Sequence, residues 1–194
     1  MVSEAPSLLS RAVRVFLLWL FRLRGWTVVG ERPKARRFVI VGAPHTSNWD
    51  FVFFVGAVDH FGITPRFMAK HSLFHWPMRR FMLDMGGVPV DRSKRGNYAG
   101  AMAAEFATHD DFALVIAPEG TRSNVGKWRS GFWHIARNAG VPMVLAWVDN
   151  ETRRGGFGPE IFPSDDFDAD MAKIAGFFRS SIPGHPKWAA FDAT

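Results

Sequence analysis

Short apolar runs alternate with segments of helical pattern along this chain of 194 residues. Runs at 26–29, 38–42, 66–69, 88–90, 112–117 and 141–148 predict strands, because they are too short for helices and are bounded by turn residues. Helices are predicted at 7–24, 50–61, 77–85, 97–108, 131–138 and 166–179, and a glycine-rich stretch around Gly155, Gly156 and Gly158 is predicted to be a loop. Strands that alternate with helices form a sheet flanked by helices. We therefore predict an α/β fold with a single sheet domain behind an N-terminal amphipathic helix.

The N-terminal segment carries the charge of the chain. Residues 1–37 hold eight basic and two acidic residues, which accounts for the whole net charge of +6. On the predicted helix, arginines fall on one side, and the other side is apolar and consists of Leu8, Ala12, Val15, Phe16, Trp19 and Leu23. Leu18 and Phe21 interrupt the polar side. The longest charge-free run, residues 15–21, is far shorter than the roughly 20 residues of a spanning helix.

Two interpretations of this helix remain open. It can lie in the membrane interface with its arginines toward the lipid headgroups, or it can pack on the domain. We favour the first and divide the chain into a membrane-interface helix, residues 1–25, and an α/β domain, residues 26–194. Nucleic acid is a poor partner for the basic segment, because the main domain lacks interleaved basic and aromatic residues.

A histidine and a carboxylate stand on the loop between the predicted strand at 38–42 and the helix at 50–61. His45 suits proton abstraction at neutral pH, since the ordinary pKa of histidine is about 6.5. Asp50 could fix the tautomer of the ring and stabilise the imidazolium. The spacing alone is weak evidence, because such pairs arise by chance. A structural histidine that caps the helix is the alternative.

Polar loops follow two further predicted strands. Residues 118–123, Pro-Glu-Gly-Thr-Arg-Ser, can bind a phosphate through Arg122 and backbone N–H groups. Arg92, in the loop after the strand at 88–90, could add a second cationic contact. Loops at successive strand ends converge at one edge of a sheet, which is the expected place for a ligand site.

The four segments together resemble a known family. The order H-x-x-x-x-D, G-x-P-V-D-R, P-E-G-T-R-S and V-P-M-V-L, from residue 45 to about 145, is similar to the four blocks of the glycerolipid acyltransferases, which include the 1-acylglycerol-3-phosphate acyltransferases. The resemblance implies that His45 is the general base with Asp50 as its partner. It further implies that substrate is positioned by Arg92, Glu119, Gly120, Thr121, Arg122 and Lys70, with Pro142 near the acyl donor. Pro44 stands where many members of the family have asparagine.

The resemblance implies acyl transfer from acyl-CoA or acyl-carrier protein to a hydroxyl of a lysophospholipid-like acceptor. We expect no cofactor and no metal, and the absence of cysteine excludes thiolate nucleophiles and Cys-ligated metals. The expected location is the cytoplasmic face of an anionic membrane, as a peripheral or monotopic protein. The alternative function is a non-catalytic lipid-binding module of the same fold, or transfer to an acceptor outside phosphatidate synthesis.

Overall fold

The computed structural model describes residues 5–90, 98–119 and 128–191 of the chain. Within these residues seven strands form one sheet: β1 (Thr27–Val29), β2 (Arg37–Gly42), β3 (Pro65–Lys70), β4 (Gly87–Val90), β5 (Phe112–Ile116), β6 (Met143–Asp149) and β7 (Arg154–Ile161). The helices are α1 (Leu8–Arg24), α2 (Trp49–His60), α3 (Arg79–Asp84), α4 (Tyr98–Ala107), α5 (Gly131–Ala139) and α6 (Phe167–Ser181). Short 3-10 helices lie at His71–Leu73 and Pro186–Phe191. The predicted α/β fold is confirmed.

The strand order is β1-β7-β6-β2-β5-β3-β4. Strands β2 to β6 are parallel to one another, and β7 is antiparallel to β6 and parallel to β1. β2 lies between β5 and β6 and is almost wholly buried on both faces, which explains its uninterrupted apolar sequence. The loops that follow β2, β5 and β6 therefore leave the centre of the sheet at the same edge.

Helices cover both faces of the sheet. On one face, Val39 and Val41 of β2 share a core with residues from α4, α5 and α6, among them Phe106, Phe132 and Phe178. On the other face, the side chains of β2 that point the opposite way, Phe38 and Ile40, pack with residues of α2. The two cores fix β2 from both sides. The loop that follows β2 thus begins from a rigid position.

The glycine-rich stretch is a strand, so the prediction of a loop there was wrong. β7 contains Gly155, Gly156 and Gly158, and it pairs with both β1 and β6. A Cβ at Gly156 would lie 1.8 Å from the carbonyl oxygen of Val29, and a Cβ at Gly158 would lie 2.2 Å from the ring of Phe177. These glycines are required by close packing rather than by a turn, and sequence alone does not separate the two causes.

Helix α1 lies on the domain, with Ser7 as its N-cap and Gly25, at φ 68°, as its left-handed C-cap. Leu17, Leu20 and Phe21 pack on Trp26 and on residues of α2. Phe21, which interrupts the predicted polar side, is therefore a packing residue. Packing on the domain was the interpretation that we did not favour. No helix among the described residues has the length and apolar character needed to cross a membrane.

The side of α1 that was predicted to be apolar is nonetheless exposed. We call it the α1 stripe and define it by Leu8, Val15, Phe16, Trp19 and Leu23 of the predicted side together with Leu9, which was not predicted there; each has more than half of its surface exposed. The rings of Phe16 and Trp19 stack with their centroids 5.9 Å apart. Packing on the domain and an apolar exposed face thus coexist in one helix, on different sides of it.

Candidate active site

The loop after β2 meets residues from the two neighbouring strands. His45 follows β2, Glu119 follows β5 and Asn150 follows β6, all at the edge where these parallel strands end. The backbone N–H of His45 donates to Glu119 Oε1 at 3.0 Å, and Asn150 Nδ2 donates to Asp50 Oδ1 at 2.6 Å. Residues after three neighbouring strands thus meet at His45 and Asp50, whereas the predicted contributions of Arg92 and Arg122 lie outside the described residues.

Asp50 is a buried carboxylate held by several donors. The backbone N–H groups of Thr46 and Ser47 donate to its Oδ2 at 2.6 and 2.8 Å. It also occupies the second position of α2, where the N-terminal end of the helix favours a negative charge. Burial raises the pKa of Asp50, but hydrogen bonds from His45, Ser47, Asn150 and Thr46 outweigh it and lower the pKa to about 2. Asp50 is consequently ionised at neutral pH.

The ring of His45 is oriented by Asp50. Nδ1 lies 3.3 Å from Asp50 Oδ2, and 31% of the His45 side chain is exposed. An ionised carboxylate can only accept a hydrogen bond, so Nδ1 carries the proton of the neutral ring. Nε2 is then the ring atom that can take a proton from a bound molecule. This is the arrangement of a general base with a carboxylate orienter.

Glu119 makes contacts within the protein that its predicted role did not include. The resemblance implied that Glu119 positions the acceptor, yet both of its carboxylate oxygens are bonded within the protein. Oε1 accepts from the His45 backbone, and Oε2 accepts from Lys187 Nζ. Lys187 Nζ also donates to the backbone carbonyl of His45. Glu119 is therefore a residue that holds the His45 loop.

The other predicted substrate-binding residues fall into three groups. Four lie outside the described residues: Arg92, Gly120, Thr121 and Arg122. The backbone of Lys70 ends β3, at the same edge of the sheet as His45, and pairs with Val90 of β4. Pro142 stands just before β6 and accepts a hydrogen bond from the backbone N–H of Val39, in the first half of β2. The structure thus places Pro142 at the opposite edge of the sheet, away from His45.

Sequence reasoning missed two residues of this site. Asn150 directly follows the buried strand β6, so the rule that strand ends carry function could have identified it. Lys187 follows no strand, and its partners His45 and Glu119 lie 142 and 68 residues earlier in the chain. No local pattern signals such a contact. Within the ranges 5–90, 98–119 and 128–191, no group of three or more His, Cys, Asp or Glu side chains could hold a metal ion.

Comparison with known proteins gives a consistent result. A family model described as Acyltransferase matches residues 26–149. The chain is 30% identical over 142 residues to a Mycoplasma pneumoniae protein named probable 1-acyl-sn-glycerol-3-phosphate acyltransferase. The aligned region covers 69% of the chain and 53% of that protein. The chain is 26% identical over 152 residues to the 1-acyl-sn-glycerol-3-phosphate acyltransferase of Limnanthes alba, covering 73% of the chain and 52% of that protein. The chain spans about half the length of these curated relatives.

Proposed function

The chain belongs to the glycerolipid acyltransferase family, and we propose that it is an O-acyltransferase that transfers a fatty acyl group from a thioester to a hydroxyl of a lysophospholipid-like acceptor. The donor is acyl-CoA or acyl-carrier protein. The observation that carries the proposal is the contact between His45 Nδ1 and the buried, ionised Asp50. A base held in this way has a defined free nitrogen for a substrate hydroxyl.

The proposed reaction uses His45 twice. Nε2 removes the proton of the acceptor hydroxyl while the hydroxyl oxygen attacks the carbonyl carbon of the thioester. The C–S bond then breaks, and the imidazolium returns its proton to the departing thiolate. Asp50, which is ionised at neutral pH, stabilises the imidazolium between these two steps. The products are an acylated acceptor and a free thiol.

An activity assay tests the proposed reaction. Purified protein is incubated with labelled acyl-CoA or acyl-carrier protein and a panel of lyso-lipids, and products are identified by mass spectrometry. The names of the relatives make 1-acyl-sn-glycerol 3-phosphate the first acceptor to try. We expect product with the wild type and at least a 100-fold lower rate with His45→Ala, since acid–base catalysis contributes that order of magnitude. The control is His109→Ala, which should retain the wild-type rate because His109 lies two residues after the end of α4 and bonds to the carbonyl of Glu105. Full activity of His45→Ala would reject the mechanism.

We further propose that the protein works at the cytoplasmic face of a membrane, to which the α1 stripe docks. Six exposed apolar side chains on one helix face are costly in water and are typical of a surface that meets a partner or lipid. Arg11 and Arg22 lie on the same helix and are exposed, so they can meet anionic headgroups. The C-terminal end of α1 also reaches the site, because the Arg24 guanidinium lies 4.7 Å from the ring centroid of Trp49, beside Asp50. A membrane-bound acceptor would therefore lie close to His45.

Vesicle co-sedimentation tests this docking. The stripe variant combines Trp19→Ser and Leu23→Ser, whose side chains are 53% and 67% exposed. The control is Phe162→Ser, a 63% exposed ring that follows β7 and lies outside the stripe. On vesicles of phosphatidylcholine and phosphatidylglycerol, we expect the stripe variant to bind more than tenfold more weakly, since burying each such side chain contributes about 1.5–3 kcal/mol. Equal binding of both variants would refute the docking. Vesicle binding without thioester consumption by the wild type would instead favour the non-catalytic lipid-binding module.

A further inference from the structure

The segment after α6 contributes to the site although it lies outside residues 26–149, which the family model matches. The chain leaves α6 at Ser181 and forms the 3-10 helix Pro186–Phe191. Trp188 and Phe191 belong to the core that contains Phe178 and Trp128, and Trp188 Nε1 donates to the carbonyl of Ile182 at 2.8 Å. The segment therefore has a fixed place on the domain. Lys187 precedes Trp188 and points toward the loop after β2.

Lys187 and Glu119 hold His45 on both sides of its Cα. The N–H of His45 donates to Glu119 Oε1, Glu119 Oε2 accepts from Lys187 Nζ, and Lys187 Nζ donates to the carbonyl of His45. These contacts close a ring of hydrogen bonds around the backbone of one residue. Only 9% of the Lys187 side chain and 2% of the Glu119 side chain are exposed. Water therefore competes little for these groups.

The burial of the pair makes a displacement of the His45 backbone costly. An ammonium and a carboxylate withdrawn from water are costly unless each has its partner. The backbone groups of His45 give each side chain a second hydrogen-bond partner. A displacement of the His45 backbone would break bonds to two buried charges at once. Small displacements of a base matter, because a reacting group that is misplaced by about 1 Å can lose roughly 100-fold in rate.

The pair also balances charge beside the base. Glu119 alone would place a second carboxylate near His45, in addition to Asp50. Lys187 neutralises Glu119, so that the pair adds no net charge beside the ring. Further titratable groups that interact with this cluster are His185, Asp149 and Glu151. The pKa of His185 is lowered, mainly by its burial, which keeps that ring neutral near pH 7.

We propose that Lys187 is a positioning residue for catalysis: through its ion pair with Glu119 it fixes the backbone of His45 and holds the base in its reactive orientation. The role rests on the proposed function, because it concerns the same site. The competing explanation is that Lys187 only fastens the C-terminal segment to the domain. The two explanations differ in what they predict for kcat, for the pH profile and for His45 itself.

Three variants separate these explanations. Lys187→Met removes the charge and keeps the length of the side chain, and Lys187→Arg keeps the charge. Lys173→Met is the matched control, because Lys173 pairs with the buried Asp170 at 3.3 Å on α6. We expect Lys187→Met to lower kcat at least tenfold with both KM values within twofold of wild type, and Lys187→Arg to recover part of kcat. Lys173→Met should match the wild type. An unchanged kcat in Lys187→Met would overturn the proposal, as would a loss confined to KM.

The pH dependence of kcat also separates the two explanations, because it should not change if Lys187 only fastens the C-terminal segment to the domain. In Lys187→Met, Glu119 is left as an uncompensated negative charge next to His45. A nearby negative charge favours the protonated form of histidine, so the acidic limb of the kcat profile should move to higher pH. The double variant Glu119→Gln, Lys187→Met should bring the limb back. It also avoids an unpaired buried carboxylate and serves as the folded reference if the single variant does not fold. A limb that stays in place in Lys187→Met would contradict the proposal.

A final measurement does not depend on activity. The 15N resonances of the His45 backbone and ring are compared by NMR in wild type, Lys187→Met and Lys173→Met. We expect changes at His45 in the first variant and none in the second. If the wild type transfers no acyl group from any thioester, the proposed function fails, and the NMR comparison still tests whether Lys187 holds His45. Identical His45 resonances in all three proteins would overturn the positioning role whatever the activity.

Discussion

Replacement of Asp50 by asparagine tests the electrostatics of the site most directly. The pKa of Asp50 is about 2, against an ordinary value of 3.8. Each pKa unit corresponds to about 1.4 kcal/mol, so ionised Asp50 contributes about 2.5 kcal/mol to the free energy of unfolding at pH 7. Because the pKa is lower in the folded state, this contribution is complete above the unfolded pKa, near 4. It is lost as the pH falls through 2.

Asp50→Asn should lose about this amount and not much more. The remaining oxygen can still accept from the N–H groups of Thr46 and Ser47. The new amide group would face Asn150, whose Oδ1 is buried and has no hydrogen-bond partner among the described residues. Asn150 can turn its amide so that this oxygen accepts the new donor. We therefore expect a loss of about 2 kcal/mol at pH 7 and roughly half of that at pH 3.

The assay is urea unfolding followed by tryptophan fluorescence at pH 7, 4 and 3. Asp168→Asn is the matched control, because Asp168 is the second residue of α6, as Asp50 is of α2, but is exposed. It should change the free energy of unfolding by less than about 0.5 kcal/mol. If both variants lose the same amount at pH 7, or if the Asp50→Asn deficit at pH 3 equals that at pH 7, the assignment of a low pKa to Asp50 is wrong. The rate of acyl transfer by Asp50→Asn should fall at least 100-fold.

Three further predictions concern helix packing and the bond between Asn150 and Asp50. Gly56→Ala should lower the free energy of unfolding by about 1–3 kcal/mol, because its Cβ would lie 2.3 Å from the ring of Phe21 and overpack the α1–α2 interface; differential scanning calorimetry measures this loss. Gly176→Ala in α6 has open space and should be neutral or stabilising by up to about 1 kcal/mol, so equal melting temperatures for the two variants would contradict the packing argument. Asn150→Ala should lower kcat, and in urea unfolding it should lower the free energy of unfolding by about 1–2 kcal/mol, because Asp50 loses a buried donor. Wild-type values of both quantities would show that this bond contributes nothing.

Local patterns in the sequence were sufficient to predict the elements at the centre of the fold. β2 and α2 were predicted within a residue or two, because a buried parallel strand and an apolar helix have distinct lengths and periods. The His45–Asp50 pair followed from the same reasoning, since its two residues flank one loop.

Contacts between distant segments were not predictable in this way. The glycines of β7 look like turn residues, and only the approach of Val29 and Phe177 shows that they are packing positions. The side of α1 that packs on the domain likewise could not be predicted. Phe21 looks like an interruption of the polar side, and only its contact with α2 shows that it is a packing residue. Lys187 finds its partners through the path of the chain after α6, which no periodicity encodes.

The pairing of β1 with β7 has a consequence for the order in which the protein is assembled. Thr27 of β1 pairs with Arg154, which is made after all the strands except β7 itself. At roughly 5–20 residues per second, a ribosome needs on the order of ten seconds between these two positions. For most of that time α1 and the loop of His45 already exist, whereas β7, Asn150 and Lys187 do not. A nascent chain therefore presents its apolar helix before its site is assembled, and the bonds of Asn150 and Lys187 to the loop of His45 form only after these residues have been made.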